Sequence, residues 1–273
     1  MKKLIFIAIA TFHCTVLYAQ NLLDNNWKFT TGDDSSWMRP AFGDSKWVDA
    51  RIGEVWENWG FQNYDGYGWY RKQVVIPATL KKEAMKNGGL ILRLARIDDA
   101  DYTYFNGTLI GKTGEFPPNY VGRYDIDRVY AIPANLVLWG KPNTIAVRVY
   151  DQSGGGGIYG SDISLIVRGA KDLVSISPAF KEVDRVLSGV PGLKLPIEIR
   201  NENSKKIEGK LSIFIRNDFF DTIIIDESKV KVAAKSKSIT SFPISGLKPG
   251  IYMVTANLSA TNINKQIKFS FAV

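Results

Sequence analysis

The chain has 273 residues but only one cysteine, Cys14, and one histidine, His13. Both fall within a leader-like start. Lys2 and Lys3 give a positive n-region, Leu4 to Phe12 a short apolar run, and Leu17-Tyr18-Ala19 a small residue at the expected cleavage point. The run is shorter than the roughly 20 residues needed to span a bilayer, and His13 stands where a small residue would precede a lipidated cysteine. Residues 1–19 therefore read as a cleaved signal peptide. Gln20 then begins an exported protein, periplasmic or extracellular, with no membrane span. What remains has neither thiol nor imidazole, which excludes disulfides, cysteine nucleophiles, Ser-His-Asp triads and zinc sites built on Cys or His. Carboxylate chemistry, oxygen-ligated calcium and binding are left.

Helical periodicity is also scarce. Ala78 to Lys86 is the one stretch that fits a turn or two. Elsewhere the apolar residues alternate. Tyr70 to Ile76 alternates and stops at Pro77; Leu90 to Leu94 and Thr144 to Tyr150 do likewise, and Ile163 to Val167 closes the first half. Thr103-Tyr-Phe105 and Thr108-Leu-Ile110 flank Asn106-Gly107, the dipeptide suited to a type I′ hairpin turn. Leu193 to Arg200, Lys210 to Arg216 and Leu247 to Val254 carry the pattern into the second half, and no internal repeat is present. Strand-rich halves with turn signals every 8–12 residues predict an all-β fold of sandwiches or jelly rolls.

Composition divides the chain in two. All seven tryptophans lie between Trp27 and Trp139, and Tyr252 is the only tyrosine after Tyr159. Residues 20–170 hold 17 basic and 17 acidic side chains, whereas residues 171–273 hold 16 and 10. Two domains are expected, 20–170 and 171–273. The excess lysines, Lys229, Lys231, Lys235 and Lys237, mostly alternate with Val, Ala and Ser and have no interleaved aromatics. That pattern is the wet face of an edge strand and not a nucleic-acid surface.

Gly68-Trp-Tyr-Arg-Lys72, then Ile97-Asp-Asp-Ala-Asp-Tyr-Thr-Tyr-Phe-Asn-Gly107, then Asn143-Thr-Ile-Ala-Val-Arg-Val-Tyr-Asp151 and Gly157-Ile-Tyr-Gly160 follow one another. In that order they resemble the sugar-binding domain of glycoside hydrolase family 2, over about residues 22–168. The resemblance implies a galactose-binding-like jelly roll followed by an immunoglobulin-like β-sandwich. In such enzymes a catalytic barrel comes next, and it needs roughly 200 residues or more. None remain for it after the second domain, so hydrolysis by the family's mechanism is not expected.

Sugar binding needs aromatic faces and planar polar groups. The segment from Glu54 to Gly68 is dense in both and fits no period, which makes Trp56, Trp59, Tyr64 and Tyr67 candidate contacts; the alternative is that these rings fold back over a sheet. Asp98-Asp99-Ala100-Asp101 is the densest carboxylate cluster. Asp99 and Asp101, about 6–7 Å apart along one strand face, are candidates to bind sugar hydroxyls, to work as a glycosidase pair, or to neutralise Arg71, Arg93 or Arg96. By the resemblance, Asp151 and Tyr159 around the Gly154–Gly157 tract face a ligand, as do Tyr120, Arg123 and Tyr124 after the Pro117-Pro118 pair. No cofactor is required. Calcium is the one ion the residues leave open, without EF-hand spacing.

These features predict a non-catalytic protein that binds an oligo- or polysaccharide. The rivals are a structural protein docking on a glycan-degrading enzyme and a small hydrolase acting on glycosyl bonds through surface carboxylates.

Overall fold

The structure, a computed structural model, describes residues 21–24, 26–179, 193–244 and 246–273; the expected signal peptide lies outside them. Alternating segments become strands. In the first half these are β1 (Asn26–Thr31), β2 (Val48–Arg51), β3 (Gly66–Val75), β4 (Leu90–Asp98), β5 (Ala100–Phe105), β6 (Thr108–Thr113), β7 (Asp127–Ile132), β8 (Pro142–Asp151) and β9 (Gly157–Val167). They form a six-stranded sheet in the order β2-β1-β3-β8-β5-β6 and a three-stranded sheet β7-β4-β9. The weak helical pattern resolves into a 3-10 turn, Ala78–Leu80, running into α1 (Lys81–Asn87).

Period two decides which face each side chain takes. Tyr70 and Val74 of β3 and Val147 and Val149 of β8 turn inward, and together with Trp27, Phe29, Leu92, Ile97 and Leu165 they are buried between the sheets. Each such side chain is worth about 1.5–3 kcal/mol on burial, which suffices without a disulfide. Tyr67, Trp69 and Arg148 take the opposite face. The Asn106-Gly107 turn is as expected: both residues have positive φ, 49° and 79°, and β5 pairs with β6 across it.

The second half contributes β10 (Val174–Pro178), β11 (Lys194–Asn201), β12 (Ile207–Arg216), β13 (Thr222–Val232), β14 (Ser236–Pro243), β15 (Ile251–Ala260) and β16 (Ile263–Ala272). Sheets β10-β11-β14 and β13-β12-β15-β16 enclose a core of their own that includes Leu195, Ile197, Leu211, Ile213, Val254 and Phe271. Lys229 and Lys231 stand exposed on edge strand β13, alternating with the buried Val230 and Val232. The fold is all-β, a jelly roll followed by an immunoglobulin-like sandwich.

One buried ion pair shapes the end of the jelly roll. Arg128 at the start of β7 and Asp101 on β5 are both wholly buried, with Arg128 Nε 2.9 Å from Asp101 Oδ1. Thr103 and Tyr130 donate hydroxyl hydrogen bonds to the same carboxylate, at 2.7 and 2.9 Å. Arg128 Nη2 donates to the carbonyls of Ile97 (2.8 Å) and Asp99 (3.0 Å), and Nη1 to those of Arg123 and Ile126. One guanidinium thus closes the turn from β4 to β5 and the segment leading into β7.

Removing one partner of a buried pair leaves an uncompensated charge. Asp101→Ala is expected to cost about 3–5 kcal/mol, read as a lowered urea midpoint. Lys210→Ala, which breaks a pair whose side chains are 57% and 58% exposed, is expected to change stability by less than about 0.5 kcal/mol.

Candidate functional site

The turn that Arg128 closes brings three carboxylates together. Asp98 ends β4, Asp99 follows it, and Asp151 ends β8; β5 and β8 are neighbours, with Ala100 opposite Tyr150. One carboxylate oxygen from each lies within 4.8 Å of the other two. Asp98 is half-buried, while Asp99 and Asp151 are 7% and 0% exposed. Backbone N–H groups of the glycine loop hold the two buried ones: Gln152 N donates to Asp99 Oδ2 at 3.0 Å, and Ser153 N to Asp151 Oδ1 at 3.1 Å. Asp151 Oδ2 has no partner. Burial, the hydrogen bond to Asp99 and the charge of Asp99 push the Asp98 carboxyl up to about 8; burial above all, then the charge of Asp99, pushes Asp151 to about 7.

The loop after β8 is built around this corner. A Cβ on Gly156 would collide with the Trp56 ring and come within 2.7 Å of Asp151 Oδ2, so only glycine lets the backbone pass there. Gly156 N donates to Glu57 Oε2 at 3.1 Å, which pins the loop to the Trp56–Trp59 turn.

Beside the carboxylates runs a row of rings. Tyr120 has its hydroxyl against Asp99, and burial first, then that hydrogen bond, raises its pKa. Its ring meets Tyr150 edge-on at 5.7 Å; Tyr150 lies 4.8 Å from Tyr67, and Phe116 lies 5.6 Å from Tyr67 and stacks on Tyr102 at 4.2 Å. Arg148 sits over Tyr67 and Phe116, 4.7 and 4.6 Å from the ring centroids, and is held by Asp33 through Nε–Oδ1 at 2.7 Å. Tyr67, Tyr102, Tyr120 and Tyr150 are each half-buried, so each offers part of a ring to solvent. Carboxylates next to partly exposed aromatic rings can hydrogen-bond hydroxyls and stack on an apolar ring face at once.

Of the residues singled out from sequence, Tyr67, Asp99, Tyr120 and Asp151 converge here. Tyr159 is close by: burial and the charge of Asp98 raise its pKa, and its hydroxyl donates to the Tyr124 carbonyl at 2.6 Å. The Tyr124 ring is 58% exposed; the exposed Arg123 is tied to the corner through its backbone, whose N–H donates to the Asp99 carbonyl at 3.0 Å. Four expectations need correction. Trp56 is wholly buried, its indole N–H donating to the Tyr64 carbonyl at 3.1 Å, so no ring face is free. Trp59 packs on Phe29 and Phe61 at 5.0 and 5.3 Å. Tyr64 packs on Trp56, and its hydroxyl donates to the Tyr67 carbonyl at 2.6 Å. These rings fold back over the core: Trp56 is part of it, and Trp59 and Tyr64, half-buried, pack against it, with Trp56 and Trp59 carried on a 3-10 turn. Asp101 is consumed by Arg128, not by Arg71, Arg93 or Arg96, which pair with Asp44, with Asp162 and Asp172, and with Asp127.

Sequence reading missed Asp98, Tyr102, Phe116, Arg148 and Tyr150 as site residues. A signal was present. Arg148 and Tyr150 occupy the polar face of an alternating strand, and aromatic residues there face water unless something covers them.

Raised carboxyl pKa values link stability to pH. Asp98 and Asp151 keep their protons in the folded chain at pH values where the unfolded chain has lost them. Their stabilising contribution is complete below about pH 4 and is lost as pH climbs through about 7 to 8. In chelator-treated protein, the melting temperature is expected to fall between about pH 5.5 and about pH 9. Asp98→Asn, which titrates no proton at that position, is expected to reduce the fall by a few degrees, measured by calorimetry.

The sequence matches no family profile and no curated protein. Among solved structures, the chain is similar to a Bacteroides uniformis β-glucuronidase at 22% identity and TM-score 0.50, over 93% of this chain and 32% of that one. A calcium-binding mutant of Bacteroides uniformis β-glucuronidase 2 gives 21% identity and TM-score 0.51 over the same shares. The chain thus spans 32% of the length of these enzymes. The fold expected from the glycoside hydrolase family 2 resemblance, jelly roll then sandwich, is the fold this chain shares with that portion of a β-glucuronidase.

Proposed function

We propose that the protein is exported and binds an oligo- or polysaccharide at the corner formed by Asp98, Asp99, Asp151 and the neighbouring tyrosines. The observation that carries this reading is the contact between Tyr120 and the Asp99 carboxylate, at the end of a row of half-exposed rings. Tyr120, Tyr150 and Tyr67 supply stacking faces. Asp99 and Asp98 accept hydrogen bonds from sugar hydroxyls, and Tyr159 flanks them. The likeness to β-glucuronidases supports a carbohydrate ligand by shared fold.

Binding without hydrolysis is the better use of these carboxylates. Each of Asp98, Asp99 and Asp151 places an oxygen within 4.8 Å of the other two, a close grouping suited to accepting hydrogen bonds from neighbouring sugar hydroxyls. A second role, docking on a glycan-degrading enzyme, is favoured by a different surface: Phe219, Phe220, Ile223 and Ile225, in the turn before β13 and on that strand, are 82%, 69%, 47% and 68% exposed.

Isothermal titration against a panel of soluble polysaccharides tests the binding site. Tyr120→Ala and Tyr150→Ala are each expected to weaken binding by about three- to tenfold, since one aromatic contact is worth about 0.5–1.5 kcal/mol. Tyr124→Ala, on the exposed segment beyond, is expected to change it little. Unchanged affinity in both ring variants would refute this placement of the site.

A further inference from the structure

We propose that Asp98, Asp99 and Asp151 form a binding site for one divalent cation, calcium by its chemistry. This goes beyond the carbohydrate reading and does not depend on it. Three observations carry it. First, the three carboxylates converge to within 4.8 Å, close enough for one ion to bridge them. Second, Asp151 is wholly buried, yet its Oδ2 has no hydrogen-bond partner. A buried carboxylate oxygen left bare costs on the order of 1–3 kcal/mol or more, and an ion beside it would remove that cost. Third, among the described residues no lysine or arginine is ion-paired with any of the three, because the nearby guanidinium of Arg128 is spent on Asp101.

The local construction is that of pre-oriented ligands. Gln152 N donates to Asp99 Oδ2 and Ser153 N to Asp151 Oδ1, so both carboxylates are fixed, Asp99 also by the Tyr120 hydroxyl, while Asp151 Oδ2 has no partner. Both backbone anchors come from the same loop. Gly122 keeps the approach open, since a Cβ there would lie 3.1 Å from Asp99 Oδ1 and 2.6 Å from the Tyr120 hydroxyl. The donors are oxygens alone, and the only histidine and cysteine of the chain are at positions 13 and 14. A hard cation is therefore selected over zinc or copper. Three carboxylates completed by water suit calcium, which tolerates irregular coordination, better than magnesium, which demands a near-ideal octahedron.

The test uses the full chain, stripped with EDTA and without carbohydrate. Titration with calcium chloride is expected to show one saturable site with Kd of roughly 10⁻⁴–10⁻³ M. At about 10 mM calcium the melting temperature should rise by roughly 3–10 °C. Asp151→Asn and Asp99→Asn are expected to abolish both effects. Should either buried variant fail to fold, the half-buried Asp98→Asn, checked by circular dichroism, is expected to weaken binding at least about tenfold. No calcium response in wild type would overturn the site, as would an undiminished response in all variants that fold. An equal response to magnesium chloride would overturn the assignment to calcium. The polysaccharide titration reads the sugar site through the rings of Tyr120 and Tyr150, which are not ligands of the ion, so the two readings fail separately.

Discussion

The Asp101–Arg128 pair is the constraint from which the functional corner follows. Burying two charges is costly unless every donor and acceptor finds a partner. Here Asp101 gains two hydroxyl donors besides the guanidinium, and Arg128 distributes its N–H groups over four backbone carbonyls. Two of those carbonyls, of Ile97 and Asp99, bracket Asp98. The pair therefore fixes the backbone from which Asp98 and Asp99 project. Its neutralisation is internal, so the neighbouring carboxylates are left without a counter-charge. A stabilising element and an unsatisfied acidic cluster are in this sense one arrangement.

The tyrosine row depends on the same corner. Tyr150 precedes Asp151 on β8, and Tyr67 lies opposite Tyr150 on β3. Tyr120 and Phe116 arrive on the segment between β6 and β7, whose far end Arg128 ties down through the carbonyls of Arg123 and Ile126. Short side-chain rows on a rigid sheet lose little entropy on meeting a ligand. The glycine loop from Gly154 to Gly157 closes the other side, with Gly156 passing between Trp56 and Asp151.

Much of the fold was legible because period-two alternation and turn chemistry are local. Tyr70 to Ile76, Leu90 to Leu94 and the Asn106-Gly107 hairpin all became the elements they implied. The site was legible only in part. Asp99, Tyr120, Asp151 and Tyr67 were found because carboxylates and loop aromatics stand out in sequence. Trp56, Trp59 and Tyr64 misled, since ring density along the chain does not say on which side of a sheet a ring will fall. A 3-10 turn, which has no signal of its own at that length, carries Trp56 into the core and Trp59 against it, and Tyr64 packs on Trp56. The partner of Asp101 could not be read either, because Asp101 and Arg128 stand on different sheets and meet only where the two sheets pack.

The most direct test of a ligand site at this corner is amide chemical-shift mapping by heteronuclear NMR during titration with an oligosaccharide that the protein binds. The largest shifts should fall on Asp99, Gly122 and the stretch from Gln152 to Gly157, whose N–H groups and neighbours line the carboxylates. Shifts confined to strands β10 to β16, with this corner unmoved, would contradict the assignment of binding to the acidic turn.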